Sequence, residues 1–484
     1  SMDNRKTEIK EKCCIFSKNI DADFDYQENL QSYNDDILKI IRCSVNNFVV
    51  NSVFQNGVIT VHGKTKIFIT YISESSACLS CAEFEEDFDK NIPVDTDEQE
   101  LFADVSVCNK YCNCRIINQR RVDIHNSFQL NVCAYAQTSA EMLDACDDVL
   151  IDKQTISYVS RVGSAYVKSD YEDEASVSDG TIKKIINVFA SAICQEAKLI
   201  EDKMLVKTDL VFSILYTVDG EQEEIRRCEK STQVSTIVDI PGIRENDIPM
   251  VKVKVGNLFY KIKADENNEL TVIELMGDIN LACIVYRQCS IDLADDCYSL
   301  KCDTENKISR IELNTDYELR KESSNETLRF EFESVSIKQI LDLHVSLSDE
   351  NTVEMGAFIY DSNGELQFIA DKKKIEITNS SQIQAYITSF DFVIKSENSI
   401  EVRVVIAYVS LKYESRQFSI LSDVELKGNS NFESPALVVY FADKNERLWD
   451  IAKTFKTSVE LIKKENEITK DFCETKRVLL IPGV

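Results

Sequence analysis

Apolar and polar residues alternate along most of this chain. The runs at 59–72, 205–217, 251–264 and 401–413 carry β-branched or aromatic residues at nearly every second position. A period of two places the apolar side chains on one face, which is typical of half-buried β-strands. The pattern predicts a mainly β protein.

Two Asx-Gly pairs, Asp219-Gly220 and Asn363-Gly364, lie between such runs. This pair tolerates the positive φ angles of a tight hairpin, so the neighbouring strands should be antiparallel. We expect each group of strands to fold as a small antiparallel β-sandwich whose apolar faces form the core.

The chain contains three related stretches, ITYISESS, ILYTVDGE and FIYDSNGE. Their tyrosines, Tyr71, Tyr216 and Tyr360, are 145 and 144 residues apart, and an Ile-rich core precedes each of them. The interval from core to tyrosine is 34 residues twice and 23 residues in the last copy. We predict three tandem copies with the tyrosine at one shared core position, the third copy being shorter by about one hairpin's worth of chain.

The last fifty residues follow a different pattern. After a small-polar stretch and a short strand, Leu448, Ile451, Ala452 and Phe455 have the spacing of one apolar helix face. A second helix should begin at a capping box of Thr457 with its partner three residues later, and VLLIP should close the module as a strand. The predicted order is β-α-α-β.

The chain has 484 residues and a net charge of −28, enough length for several cores. Residues 436–484 carry nine Lys or Arg and eight Asp or Glu, so the acidity lies in the preceding part. A surface this acidic repels phosphate backbones and anionic lipids, which argues against nucleic acid or a membrane as partner. The charged start SMDNRKTEIKEK lacks the apolar segment of a signal peptide, and no apolar run approaches the ~20 residues of a membrane span, so we expect a cytosolic chain without membrane insertion.

The Leu-Tyr-x-x-Asp-Gly unit followed by a strand and VDIPG (238–242) resembles the SPOCS domain, a repeat of spore-coat morphogenetic proteins. The resemblance is strongest in the second copy. It implies the following organisation: an N-terminal segment (1–31), SPOCS-like repeats at 32–160, 161–310 and 311–427, a linker (428–435) and a terminal module (436–484).

The terminal module resembles a LysM domain, a wall-sugar-binding fold, in LWDIA (448–452), in the run ending at Asn466, and in LLIP. The resemblance places the ligand-binding loop before the first helix. Small residues are usual there, but this chain has Asn445, Glu446 and Arg447. The predicted binding residues are Asn445, Glu446, Arg447, Leu448, Trp449 and Asn466.

SPOCS repeats followed by LysM resemble the spore-coat LysM proteins. That resemblance implies a non-enzymatic scaffold in the mother-cell cytoplasm, later on the forespore surface and in the spore coat, whose LysM domain docks on the coat-building basement-layer ATPase and which contacts other coat proteins. The alternative is a binder of peptidoglycan or cortex glycan through N-acetylglucosamine. The long Arg447 side chain favours a protein ligand.

Motifs of catalysis and cofactor binding are absent from the sequence. The closest two of its twelve glycines, Gly57 and Gly63, are too far apart for a dinucleotide-binding or nucleophile-elbow motif, and the three histidines lack metal-ligand spacing. We therefore expect no enzyme activity and no cofactor.

Cysteine is the one residue type with suggestive spacing. A structural zinc site could be built from two thiol pairs, whose candidates are Cys78, Cys81, Cys108, Cys112 and Cys114. The alternatives are buried apolar thiols or disulfides that form late. Because Cys78 and Cys81 should point to opposite faces of a strand, the expectation is no metal.

Overall fold

The computed structural model describes residues 5–75, 78–178, 180–220, 224–349, 351–377, 380–429 and 436–483. In these ranges it consists of antiparallel sheets with two short helices at the C-terminal end. The predicted mainly β class is confirmed. Most of the predicted linker at 428–435 lies outside the described residues.

The strands before the C-terminal module form three consecutive units of six. Unit 1 contains β1 (Arg5–Asn29), β2 (Ile37–Gln55), β3 (Val58–Ser73), β4 (Leu79–Pro93), β5 (Phe102–Asn118) and β6 (Arg121–Ala145). Unit 2 contains β7 (Val149–Ser176), β8 (Ile182–Ile200), β9 (Lys203–Val218), β10 (Glu224–Asp239), β11 (Ile248–Lys263) and β12 (Val272–Ser299). Unit 3 contains β13 (Cys302–Glu331), β14 (Ile337–Asp349), β15 (Thr352–Asp361), β16 (Leu366–Lys374), β17 (Gln382–Ser396) and β18 (Ser399–Asn429).

Each unit pairs its strands in the same way. The second, third and fourth strands form an antiparallel meander, while the first, sixth and fifth form a second sheet in that order. Apolar residues from both sheets meet in a common core, as Ile59 and Val61 of β3 do with Phe128 of β6. The second sheets of units 2 and 3 are continuous, because β7 and β13 pair at Val159 and Asn314.

The strand bounds differ from the predicted limits of the repeats. The predicted N-terminal segment 1–31 contains β1, which belongs to unit 1, and the predicted limits at 160 and 310 fall inside β7 and β13. The first strand of a unit pairs with the sixth, 68 to 150 residues further along the chain. Local sequence patterns carry no record of such distant pairing.

Tyr71 and Tyr216 occupy equivalent positions. Tyr71 pairs with Ile40 and Tyr216 with Ile185, each between two irregularities of register at matching places, and both tyrosines are buried. In unit 3 the residue at this position is Ile359, so the predicted equivalence of Tyr360 is off by one residue. Because strand side chains alternate, Tyr360 faces the opposite side of its sheet.

The shorter third copy keeps all six strands. Its meander strands β14, β15 and β16 have 13, 10 and 9 residues, against 19, 16 and 16 for β8, β9 and β10. The third copy is therefore shortened within its hairpins and loses no strand.

The three meanders contact one another head to tail in a closed ring. Cys81 of β4 lies 3.0 Å from the carbonyl of Ile186 in β8, and Arg227 of β10 donates to Asp342 of β14 over 2.8 Å. The ring closes where the Arg42 guanidinium of β2 stacks 4.6 Å from the Phe368 ring of β16. A head-to-tail arrangement of three similar units that closes needs no further copy to complete it.

The C-terminal module contains β19 (Leu437–Ala442), α1 (Leu448–Thr454), α2 (Val459–Asn466) and β20 (Arg477–Pro482), with β19 and β20 antiparallel. The predicted β-α-α-β order is observed. The capping residue of α2 is Ser458, whose Oγ accepts from the Leu461 amide at 3.2 Å, and not Thr457 as predicted. Thr457 is fully buried, and its hydroxyl has no hydrogen-bond partner.

Candidate functional site

The first helix of the C-terminal module packs against unit 2. Trp449 Nε1 donates to Asp296 Oδ2 over 2.9 Å, and Lys453 Nζ lies 2.7 and 2.8 Å from the two oxygens of the same carboxylate. The Trp449 ring also meets Tyr298 edge to face, with centroids 4.8 Å apart. One aspartate of β12 therefore binds both the sole indole and a cation one helical turn away.

Three further contacts flank this pair. Arg447 forms an ion pair with Asp152 of β7, and Lys456 Nζ lies 3.2 Å from Asp303. The Tyr298 hydroxyl donates to a backbone carbonyl of the module over 2.6 Å. The module thus presents cations to carboxylates of the acidic units. The difference in net charge between the two parts of the sequence is therefore matched by ion pairs at this interface.

Electrostatics at the interface fit this arrangement. Burial alone would lower the pKa of Arg447, but the hydrogen bond and charge of Asp152 outweigh burial and raise it. The neighbouring Asp295 has a raised pKa because of burial and the charge of Asp152. The Arg447 charge therefore offsets part of the repulsion within an acidic cluster on unit 2.

Asn445 and Glu446 hold the loop in shape. Asn445 has a φ of 66°, and its amide donates to the Cys473 carbonyl over 2.7 Å. Glu446 accepts from the Tyr440 hydroxyl at 2.6 Å and from the Asp443 amide at 2.8 Å. Both residues make their contacts inside the module.

Leu448 and Asn466 are also held within the module. Leu448 is fully buried in its core. The Asn466 side chain donates to the Leu480 carbonyl and accepts from the Leu480 amide, each over 2.7 Å, and so ties α2 to β20. Of the six predicted binding residues, Arg447 and Trp449 lie at the interface with unit 2. Sequence reasoning missed Lys453, although its i+4 spacing from Trp449 places both on one helix face.

A cavity of about 550 Å³ lies between the three units. Arg42, Asn187 and His344 line it from the meanders of units 1, 2 and 3, and each has a buried nitrogen without a hydrogen-bond partner. Arg42 Nη1 donates to Asn187 Oδ1 over 2.6 Å, and His344 stacks on Phe189 with centroids 4.2 Å apart. The polar groups here join the units.

His344 makes stability depend on pH. Burial, helped by the charge of Arg42, lowers its pKa to about 3 from an ordinary value of 6.5. A lowered pKa means that the unfolded chain binds the proton first, so the contribution is intact above pH 6.5 and is lost as pH falls towards 3. We expect a loss of about 2 kcal/mol of unfolding free energy between pH 7 and pH 5 from this group.

The control is His344→Gln, because carboxylates also titrate in this range. Chemical unfolding at pH 7 and pH 5 should show a smaller loss for the variant than for the wild type. Equal losses would contradict the assignment of this pH dependence to His344.

The predicted zinc candidates do not converge. Cys81 lies at the junction with unit 2, Cys108 lies 3.6 Å from the Ser348 carbonyl of unit 3, and Cys112 lies against Cys43 of β2. Within the described ranges no group of three His, Cys, Asp or Glu side chains is placed to hold a metal ion. Cys81, Cys108 and Cys112 thus each contact a different unit or strand.

One family comparison gives a match. The family model described as SipL, SPOCS domain matches residues 181–263, which begin just before β8 and end with β11. No curated protein and no solved structure matches the chain. In the described part of the chain, no helix is long and apolar enough to cross a membrane. The matched segment of unit 2 identifies a SPOCS domain and indicates a role related to sporulation.

Proposed function

We propose that the protein is a non-enzymatic scaffold of spore-coat assembly, formed by three SPOCS repeats and a C-terminal LysM domain. The repeats contact other coat proteins, and the LysM domain docks on the coat-building ATPase of the basement layer. The SPOCS match to residues 181–263 and the shared strand order of the three units support the first part. The β-α-α-β order of the module supports the second.

The face of α1 is the single observation that carries the docking proposal. Carboxylates of unit 2 are contacted by three side chains of the separate C-terminal module, Arg447, Trp449 and Lys453. Arg and Trp are the side chains most enriched at the energetic centres of protein interfaces. We propose that the ATPase presents acidic residues to this face and takes the place of Asp152 and Asp296.

The alternative is glycan binding through the same loop, favoured by the fold of the module alone. Arg447 and Trp449 engage carboxylates, which a neutral N-acetylglucosamine chain does not offer. We therefore favour the protein partner. We propose that the scaffold works in the mother-cell cytoplasm and then on the forespore surface, where a fluorescent fusion should form a shell during sporulation.

Affinity measurements with the full chain test the docking proposal. Arg447→Ala should weaken binding to the ATPase at least tenfold, or about 1.4 kcal/mol, when both proteins compared also carry Asp296→Lys to free the module, because it removes a direct contact. Lys476→Ala removes an exposed cation of the same module, bound to Asp443, and should change little. Unchanged or tighter binding in Arg447→Ala, or new binding of chitin oligomers, would contradict the proposal.

A further inference from the structure

Three thiols meet between the two sheets of unit 1. Cys43 lies on β2 of the meander, while Cys112 and Cys114 lie on β5 of the other sheet. The Cys43 and Cys112 sulfurs are 3.4 Å apart. All three side chains are partly buried and pack at the margin of one apolar core.

The strand geometry explains why both β5 cysteines reach Cys43. Residues two apart on a strand point to the same face, so Cys112 and Cys114 both project towards β2. Hydrogen bonds with Cys112 and Cys114, and then burial, raise the pKa of Cys43. A hydrogen bond from Cys43 lowers the pKa of Cys114, so Cys114 loses its proton first while Cys43 keeps its own.

We propose that Cys43, Cys112 and Cys114 form an oxidation site, in which a peroxide converts Cys43 and one β5 cysteine to a disulfide that links the two sheets of unit 1. The sulfurs need only a small approach, from 3.4 Å to the ~2.05 Å of a disulfide. The third thiol stays reduced and lies close enough to the disulfide for thiol–disulfide exchange.

The reaction balances with a peroxide as the only oxidant. The Cys114 thiolate attacks the O–O bond, takes one oxygen as a sulfenic acid, and the other oxygen leaves and is protonated to water. The Cys43 sulfur then attacks the sulfenic sulfur, and its proton leaves with the hydroxyl group as a second water. Two thiols and one hydrogen peroxide thus give a disulfide and two waters. Cys112 can afterwards attack Cys43 and release Cys114 as a thiolate.

The linked strands are already in contact in the fold, so the bond restricts mainly the unfolded chain. The oxidised protein should therefore melt several degrees higher than the reduced protein. This rise in melting temperature distinguishes a disulfide that forms within the native structure from one that forms only after unfolding.

Peptide mapping of the full chain after stoichiometric hydrogen peroxide tests the proposal. Under non-reducing conditions, peptides with Cys43 joined to Cys112 or Cys114 should appear. Cys43→Ser should abolish them, as should the double variant Cys112→Ser/Cys114→Ser, whereas each β5 single variant should keep the remaining link. Cys228→Ser, a half-buried thiol of unit 2, is the matched control and should leave the link intact.

Circular dichroism and melting of the reduced variants should match the wild type, and Cys43→Ala replaces Cys43→Ser if the serine disturbs the core. The proposal is overturned if Cys43 stays reduced while other thiols oxidise, or if Cys43 joins a cysteine outside this site. Oxidation that lowers the melting temperature would also overturn it.

Discussion

Asp342→Ala should lower the free energy of unfolding by about 3–5 kcal/mol, because it removes a fully buried carboxylate that faces Arg227 and Arg42 where units 2 and 3 meet. The Asp342 side chain has no accessible surface and accepts from Ser213 Oγ and Arg227 Nε, each over 2.8 Å. Burial lowers the pKa of Arg42 to about 10, and the charge of Asp342 keeps it from falling further. Without Asp342, Arg227 keeps only its ion pair with the more exposed Glu229, and Arg42 loses the acidic group that acts on it most strongly.

Urea unfolding measures this loss, with Asp371→Ala as control. Asp371 lies on β16 of the same meander, its side chain is partly exposed, and its ion pair with Lys373 is at 3.7 Å. The control should change the unfolding free energy by less than ~1 kcal/mol. An equally small change in unfolding free energy for Asp342→Ala would contradict the claim that this carboxylate stabilises the contact between units 2 and 3.

Asp296→Lys should release the C-terminal module from unit 2. It removes the acceptor of both Trp449 Nε1 and Lys453 Nζ and brings a second cation beside Lys453. Losing such a contact costs about 2 kcal/mol, or roughly thirtyfold in the docking equilibrium. Trp449 is the only tryptophan of the chain, so its emission should shift to longer wavelength and its quenching by acrylamide should increase.

A charge exchange provides the control for release. Lys453→Glu alone should also release the module, because a carboxylate then faces Asp296. The double variant Asp296→Lys/Lys453→Glu restores opposite charges and should return the emission towards that of the wild type. Wild-type emission in both single variants would show that these charges do not hold the module against unit 2.

Local patterns in the sequence predicted the elements well. Alternation gave the strands, and the Ile and Tyr anchors placed Tyr71 and Tyr216 at equivalent core positions. The i, i+3, i+4 spacing gave the face of α1, with Leu448 and Ile451 in the core. These features depend on neighbours within a few residues, where periodicity and burial are directly linked.

Long-range pairing escaped the same reasoning. The pairing of β1 with β6, the closure of β16 on β2, and the Cys43 contact with β5 join residues far apart in the chain. The one-residue shift at Tyr360 has the same origin, since register is decided by the partner strand. The acceptors Asp152 and Asp296 were missed because each is one of many acidic residues in a chain of net charge −28.

The central claim is that the face of Arg447, Trp449 and Lys453 binds the coat-building ATPase and is held by Asp152 and Asp296 when the partner is absent. Titration of the ATPase with full-length wild type, Asp296→Lys and Asp296→Lys/Arg447→Ala tests it most directly. The claim predicts at least tenfold tighter binding for Asp296→Lys, because no self-contact competes, and loss of that gain when Arg447 is also removed. Equal affinity of the three proteins would contradict it.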